Sequence, residues 1–298
     1  MIEPQMVPPQ RPWGRRATHP GLRCDVRARD ERSHARLSGV NHHVHCQTIP
    51  YAHPDDLIMP IAPSSPSRSA LNQSILLCVD VCEENAEPWS TAEPFGPTRL
   101  AVIKQTLAAF VRRKASADRR HRFGVCLLGD STLVHLPFTS ELQLVLATID
   151  SLSVVKCQQR FDFDGFFDTI GDELPLETPP LPGAEATPLF RALLVFGRSH
   201  AVPHISVRPS LLDHPRFFLD ALYVHKKMGE EGVVCQETYD FFMDQLDAEC
   251  GKTAYIFEVA ASLPRLHQHV MVLLAHPAQR DDQDSFLEKL EHVPAEGD

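Results

Sequence analysis

From residue 74 onward, short apolar runs alternate with amphipathic stretches. Residues 74–80 form a continuous apolar run of strand length, as expected for a central parallel strand buried on both faces. Residues 98–114 then place apolar side chains on one helical face and end in three basic residues, which suit the C-terminal end of a helix dipole. Together these two segments predict one β-α unit.

The same alternation continues along the chain. It predicts strands at residues 123–128, 133–136, 193–196, 219–224 and 254–260, and helices at residues 142–149, 163–170, 236–248 and 262–275. Strands that alternate with helices are typical of an α/β fold. We therefore expect a doubly wound, mostly parallel sheet with helices on both faces.

Residues 1–70 have a different character. They hold ten of the 25 prolines and show no sustained period of 2 or 3.6 among their apolar positions. Such a segment cannot offset the entropy lost on ordering. The sequence therefore predicts a disordered Pro/Arg/His-rich tail over residues 1–70, a folded domain over residues 71–280 with a long loop at 174–188, and an acidic flexible tail over residues 281–298.

Charge is divided unevenly between these parts. Residues 1–70 carry nine Arg, no Lys and six acidic residues, which gives them a net charge of +3. Because the whole chain has a net charge of −10, residues 71–298 carry −13. An acidic body argues against direct nucleic-acid binding, which needs a basic face. No run approaches the roughly 18 apolar residues that span a bilayer, and the first residues lack the apolar run of a secretory signal. We expect a soluble intracellular protein that does not bind membranes.

Motifs for metals and nucleotides are incomplete. The run at residues 42–46 could be imagined as a zinc site with Cys24, but it lacks the paired spacing of a structural site. Gly251-Lys252-Thr253 imitates the end of a Walker A motif, yet Leu246 stands where the first glycine is required. The eight cysteines are dispersed and form no C-x-x-C pair, so we expect reduced, mostly buried thiols. No cofactor is expected.

The exit of the first predicted strand is the most informative local feature, because ligands of open α/β sheets bind at the carboxyl ends of the strands. Its placement resembles the metal-ion-dependent adhesion site of von Willebrand factor A domains, where Asp-x-Ser-x-Ser follows the first strand. Here Asp80 is kept, but Cys82 and Glu84 replace both serines. A thiol is a poor ligand for a hard cation, and Arg198 stands where such domains supply an acidic residue. We expect a degenerate remnant without metal, in which Asp80 serves as a cap or loop acceptor.

Three stretches carry a resemblance to a known family. They are residues 255–280, including the run Leu-Ala-His-Pro-x-Gln-Arg at 274–280, the strand exit at 78–84, and the strand at 217–225. Together they closely resemble the von Willebrand A-like scaffold subunit shared by the BRISC deubiquitinase and the nuclear BRCA-one-A complex. The resemblance covers about residues 74–285.

The resemblance implies an assembly role without catalysis. Members of that family hold together a JAMM-class zinc deubiquitinase, an Abraxas-type MPN scaffold and a ubiquitin-E2-variant subunit of the BRE type, and the nuclear complex adds a ubiquitin-binding adaptor. These complexes cleave lysine-sixty-three-linked ubiquitin chains. The implied processes are DNA double-strand-break signalling and repair, checkpoint control, cell division and receptor deubiquitination, in the nucleus and cytoplasm.

The family's P-x-x-R element maps to Pro277-Ala278-Gln279-Arg280 and implies docking on an E2-variant domain. Pro277 should stop the last helix and leave Arg280 exposed on an extended segment, able to make a forked, charge-assisted contact. Pro277, Gln279 and Arg280 are therefore the candidate protein-binding residues. The alternative is an ordinary helix stop. A tankyrase-binding pattern found in some members is matched only at its two ends, Arg16 and Gly21.

Two rival functions stay open from the residues alone. A metal-dependent von Willebrand A ligand-binding module would need a complete shell of oxygen ligands. A small α/β hydrolase would need a nucleophile with a base, and Cys82 is its candidate. Glu83 and Glu84 beside Cys82 argue against an activated thiolate.

Overall fold

A computed structural model describes residues 72–90, 93–157, 160–176, 188–225, 232–246, 254–260, 262–283 and 285–286. All of them belong to one unit, residues 62–298. The predicted tail at residues 1–70 lies outside the described residues, as do the candidate zinc residues, the Arg16 to Gly21 pattern and the Gly251-Lys252-Thr253 turn.

The described residues form six strands and five α-helices. The strands are β1 (Gln73–Asp80), β2 (Arg122–Leu128), β3 (Thr132–Thr139), β4 (Leu189–Phe196), β5 (Phe217–His225) and β6 (Ile256–Ala260). The helices are α1 (Arg99–Ala117), α2 (Leu142–Ser151), α3 (Phe163–Glu173), α4 (Gly232–Leu246) and α5 (Leu263–Val272). Each predicted strand and helix is present, and the predictions erred mainly at the ends.

The six strands form one sheet in the order β3-β2-β1-β4-β5-β6. Every neighbouring pair is parallel except β2 and β3. Residues 129–131 connect β2 to β3, and the amide of Gly129 donates to the Ser131 carbonyl at 3.0 Å. A connection this short permits only an antiparallel return. The predicted doubly wound, mostly parallel α/β fold is confirmed.

Helices cover both faces of the sheet. Side chains at alternate positions of β1 enter two separate cores: Ile75 packs with α1, α2 and α5, whereas Leu76 packs with α3 and α4. Burial on both sides explains why the central strands read as continuous apolar runs. In the described parts of the chain, no helix is long and apolar enough to cross a membrane.

The longest helix, α1, begins at a capped end. The Thr98 hydroxyl oxygen accepts a hydrogen bond from the Ala101 amide at 3.1 Å, which satisfies one of the unpaired donors of the first turn. At the other end Lys114 is buried, and its ammonium donates to the Leu274 carbonyl at 3.4 Å. Lys114 therefore joins α1 to the end of α5.

The domain extends past residue 280. The Gln283 side chain accepts from the Ile256 amide at 2.6 Å and donates to the Ile256 carbonyl at 3.0 Å. The rings of Phe286 and Tyr255 lie 5.8 Å apart. The sequence predicts a flexible tail from residue 281, whereas these contacts attach Gln283 and Phe286 to residues 255 and 256, and the Gln283 side chain completes the hydrogen bonding at the start of β6. Residues 287–298 lie outside the described residues.

Candidate functional site

Asp80 is the last residue of β1. It lies at the end of the sheet where the parallel strands have their carboxyl ends, here called the carboxyl-end edge, and both of its carboxylate oxygens are hydrogen-bonded. Oδ1 accepts from the Cys82 amide and Oδ2 accepts from the Gly197 amide, each at 3.0 Å. The Nε of Arg198 lies 3.1 Å from Oδ1 and 3.3 Å from Oδ2. Asp80 is thus a loop acceptor, as predicted, and it is also one half of a buried ion pair.

Arg198 is fixed in this position by several contacts. Its Nη2 donates to the Leu128 carbonyl at 2.9 Å and to the Gly129 carbonyl at 2.5 Å. Its guanidinium carbon lies 5.0 Å from the centre of the Phe161 ring. The Arg198 and Asp80 side chains are 1% and 0% exposed. A cation approaching Asp80 would have to displace a buried guanidinium and leave its hydrogen bonds unmade.

Two opposing effects act on the pKa of Asp80. Complete burial raises it, because a carboxylate loses its hydration, while the charge of Arg198 and the hydrogen bonds from Gly197 and Cys82 lower it. Burial is the larger effect. The charge of the guanidinium therefore opposes the upward shift that burial imposes on the pKa of Asp80.

The loop after β1 and the end of β4 are joined by hydrogen bonds around Gly197. A Cβ atom placed on Gly197 would lie 2.3 Å from the Asn85 side-chain oxygen, so only glycine fits beside that amide. The Asn85 Nδ2 in turn donates to the Asp80 carbonyl at 2.9 Å. Arg99, at the start of α1, donates to the Gly197 carbonyl at 3.1 Å and also contacts the Glu84 carbonyl. These contacts hold the loop after β1 against the end of β4.

Glu84 stands at the second serine position of the Asp-x-Ser-x-Ser pattern, and its side chain makes hydrogen bonds at the same edge of the sheet. Its carboxylate accepts from the Ser199 amide at 3.1 Å, from the Ser199 hydroxyl at 3.0 Å, and from His200 Nδ1. Burial would raise the pKa of Glu84, but the hydrogen bonds from His200 and Ser199 bring it below its usual value. The Glu84 carboxylate is therefore hydrogen-bonded to donors in the loop after β4.

Cys82 is 1% exposed, and the sheet-like pairing of Cys82 with Val155 places it beside Cys157. Burial raises the pKa of Cys157 to about 12, and the neighbouring Cys82 adds to that shift. A buried thiol beside a protonated thiol is a poor nucleophile. Within the described ranges no disulfide links the cysteines, and no group of three or more His, Cys, Asp or Glu side chains is placed to hold a metal ion.

A second buried ion cluster lies at the opposite end of the sheet, where Arg191 and Arg280 both contact Asp220. The Nε of Arg191 lies 2.6 Å from Asp220 Oδ2, and the Nη1 of Arg280 lies 3.1 Å from the same oxygen. The Tyr255 amide donates to Oδ1 at 2.8 Å. Burial would raise the pKa of Asp220, but the charges of Arg191 and Arg280 hold it below its usual value.

This cluster changes the interpretation of the P-x-x-R element. The Arg280 side chain is 3% exposed, and its guanidinium lies 3.9 Å from the centre of the Tyr255 ring. Pro277 is also buried, whereas Gln279 is exposed. The prediction that Arg280 extends freely from the last helix is wrong, because Asp220 on β5 supplies a buried counter-charge for it.

Curated relatives of this chain carry one shared name, "BRISC and BRCA1-A complex member 1". The Xenopus laevis protein is 27% identical over 237 residues, which are 74% of this chain and 70% of that protein. The Bos taurus and Homo sapiens proteins are 29% and 28% identical over 223 residues, which are 71% of this chain and 65% and 66% of theirs. No family model matches the chain.

The chain is homologous to these complex members. The family resemblance drawn from the strand exit and the C-terminal run is confirmed. Solved structures of similar fold include the SpRpn10 VWA domain, with 14% identity, a TM-score of 0.43, and coverage of 66% of this chain and 93% of that one. Proximal thread matrix protein 1 from the mussel byssus has 11% identity, a TM-score of 0.46, and coverage of 69% and 48%.

In this chain, the residues singled out from the sequence fall in two places. Asp80, Cys82, Glu84 and Arg198 come together at the carboxyl-end edge, whereas Pro277, Gln279 and Arg280 lie at the other end of the sheet. Sequence reasoning missed Asn85, Arg99, Gly197 and Asp220. Only Asp220 offered a signal, as a charged residue inside a predicted buried strand.

Proposed function

We propose that this chain is a non-catalytic scaffold subunit of a deubiquitinase assembly of the BRISC and BRCA1-A type. Its homology to proteins named as members of both complexes supports this assignment. The observation that carries it is the Asp80–Arg198 pair. This pair occupies the Asp80 position at the edge of the sheet where α/β folds bind metals and nucleotides, which favours a structural role for that position.

The finer assignment follows the family resemblance. The proposed partners are an E2-variant subunit of the BRE type, an Abraxas-type MPN scaffold, a JAMM-class zinc deubiquitinase and, in the nucleus, a ubiquitin-binding adaptor. The assembly would cleave lysine-sixty-three-linked ubiquitin chains in DNA double-strand-break repair, checkpoint control, cell division and receptor deubiquitination. The chain would act in the nucleus and the cytoplasm.

Docking of the E2-variant subunit at residues 277–280 needs a different geometry from the one the sequence indicates. Because Arg280 is bound to Asp220, the proposed contact is made by the exposed Gln279, and Arg280 fixes the position of the turn. Pro277, which is buried, fixes the other end of the same turn.

Co-expression of the tagged chain with the three core subunits tests the proposal. We expect one co-eluting species in size-exclusion chromatography. That species should cleave lysine-sixty-three-linked ubiquitin dimers, whereas the isolated chain should not. Elution of the chain apart from all three subunits would refute the scaffold role, and cleavage by the isolated chain would refute the non-catalytic assignment.

The rival functions lack support from a specific contact. A metal-dependent binding module needs Asp80 as a ligand, but Arg198 occupies both of its oxygens. A hydrolase needs an accessible nucleophile, but Cys82 is buried. The scaffold role is the function that the described residues favour.

A further inference from the structure

The chain after α5 forms a short exposed turn that is fixed to the domain at both ends. We call residues 275–279 the C-terminal turn, and its exposed members are Ala275, Ala278 and Gln279. Inside the turn the Gln279 amide donates to the His276 carbonyl at 2.9 Å. Directly after the turn the chain is anchored again, because the Arg280 side chain is only 3% exposed.

The first anchor holds the chain where α5 ends. The Nη1 of Arg191 donates to the Leu273 carbonyl at 2.7 Å, and the Nζ of Lys114 donates to the Leu274 carbonyl at 3.4 Å. Arg191 and Lys114 are both buried. Carbonyl groups at the C-terminal end of a helix lack partners within the helix, and the helix dipole favours cations there. Side chains from β4 and α1 therefore fix the start of the C-terminal turn.

The second anchor follows the turn and uses the same buried cluster. The Nε of Arg191 and the Nη1 of Arg280 lie 2.6 Å and 3.1 Å from one carboxylate oxygen of Asp220. Arg191 holds the chain before the turn, and Arg280 holds the chain after it. Both ends of the C-terminal turn are thus fixed through a single buried carboxylate on β5.

Two further contacts hold the chain beyond Arg280. The Tyr255 hydroxyl donates to the Asp281 carbonyl at 2.9 Å. The Gln283 side chain bonds both the amide and the carbonyl of Ile256, at 2.6 Å and 3.0 Å. A segment that is held at several points in the free protein has little conformational freedom left to lose when it binds a partner.

We infer that these contacts preorganise the C-terminal turn for docking, so that Gln283 and Tyr255 act as positioning residues although they lie outside the turn. The inference rests on the proposed docking of the E2-variant subunit at residues 277–280, and it states how the affinity of that contact is set. The turn loses its entropy on folding and does not lose it again on binding. If the contacts instead withheld Arg280 from the partner, loosening the turn would strengthen binding.

The test measures binding of the purified full chain to the E2-variant subunit by isothermal titration. Gln283→Ala should weaken binding about fivefold or more, because the loosened turn must then be ordered by the partner. Tyr255→Phe removes only the hydroxyl bond to Asp281 and should weaken binding about two- to threefold. The matched control is Gln236→Ala, since the Gln236 side chain also makes a hydrogen bond, to Asp240, but lies on α4. This control should leave the affinity unchanged.

A double variant distinguishes positioning from direct contact. If Gln283 acts only by positioning the turn, Gln283→Ala should have little further effect on binding once Gln279→Ala has removed the contact with the partner. Additive losses would show that Gln283 touches the partner itself, which would overturn its positioning role.

Hydrogen exchange of the free chain measures the preorganisation without a partner. The Gln279 amide should be protected in the unaltered chain and should lose protection in Gln283→Ala, because the turn is then held at fewer points. The amides of β1 should keep their protection in both proteins, which shows that the domain stays folded. An unprotected Gln279 amide in the unaltered chain would show that the turn is not held.

The binding outcomes separate this inference from the proposed function. If the unaltered chain does not bind the E2-variant subunit, the proposed docking falls, and the inference falls with it. If it binds and Gln283→Ala binds equally well, only the inference falls. Tighter binding by Gln283→Ala would also overturn the inference, because the contacts would then serve to withhold Arg280.

Discussion

The guanidinium of Arg198 lies on the carboxylate of Asp80, with Nε 3.1 Å from Oδ1, although the two residues are 118 positions apart in the chain. The pair joins the ends of β1 and β4 at the edge where this fold class binds its ligands. A position that could hold a divalent cation is occupied by a side chain with a permanent positive charge.

The first prediction concerns the stability of this pair. Arg198→Ala should destabilise the domain by about 3–5 kcal/mol, because it leaves a buried carboxylate without its counter-charge. Asp80→Leu combined with Arg198→Leu should be destabilised less than Arg198→Ala alone, since neither charge is then left unpaired. Chemical denaturation of both variants measures this. Equal stability of Arg198→Ala and the unaltered chain would contradict the ion pair.

Magnesium and manganese should not bind at Asp80. Both carboxylate oxygens are hydrogen-bonded, and the nearby Cys82 supplies sulfur where hard cations prefer oxygen. Isothermal titration of either ion into residues 70–286 is expected to give only heats of dilution. Saturable binding in the micromolar range that Asp80→Asn abolishes would show that the cation displaces Arg198.

Arg280→Ala should destabilise the fold, contrary to what its place after the last helix indicates. The substitution removes a 3%-exposed guanidinium from Asp220 and from the Tyr255 ring. We expect the free energy of unfolding to fall by about 2–4 kcal/mol. The effect should be smaller than for removal of every counter-charge of Asp220, because Arg191 stays bound to that carboxylate. Gln279→Ala, one residue earlier and exposed, is the control and should change stability by at most about 0.5 kcal/mol. Similar melting temperatures for the two variants would place Arg280 in solvent.

Stability should fall as the pH is lowered from about 6.5 towards 4, in part through His121. Burial, followed by the charge of Lys114, lowers the pKa of His121 to about 4. Its Nδ1 also accepts a hydrogen bond from the Gln73 amide at 3.1 Å. Between these pH values the unfolded chain binds a proton that the folded chain does not, so acidification favours unfolding.

Melting temperatures of the unaltered chain and of His121→Gln, measured at intervals from pH 7 to pH 4.5, test this dependence. The decline should be shallower in His121→Gln, because the titrating group is gone. His267→Gln is the control, since His267 is exposed on α5. Parallel curves for the unaltered chain and His121→Gln would mean that other groups cause the acid sensitivity.

The amino-acid sequence by itself determined the strands and helices and the fold class. Each strand and helix is set within a short window, by continuous apolar runs such as β1 or by apolar residues at helical spacing such as those of α1. The missing oxygen ligands at Cys82 and the basic residue at Arg198 were also visible, because they occupy fixed offsets after predicted strands.

Only the tertiary structure decided which charged side chains meet. Arg280 lies 60 positions from Asp220, and Gln283 lies 27 positions from Ile256, so no local pattern could join either pair. The sequence placed Arg280 after a helix stop, which indicates exposure. Burial of a charge becomes favourable only where a counter-charge is held in place, and β5 holds Asp220 there through its pairing with β4 and β6. That requirement depends on sheet order and register, which are long-range properties of the folded chain.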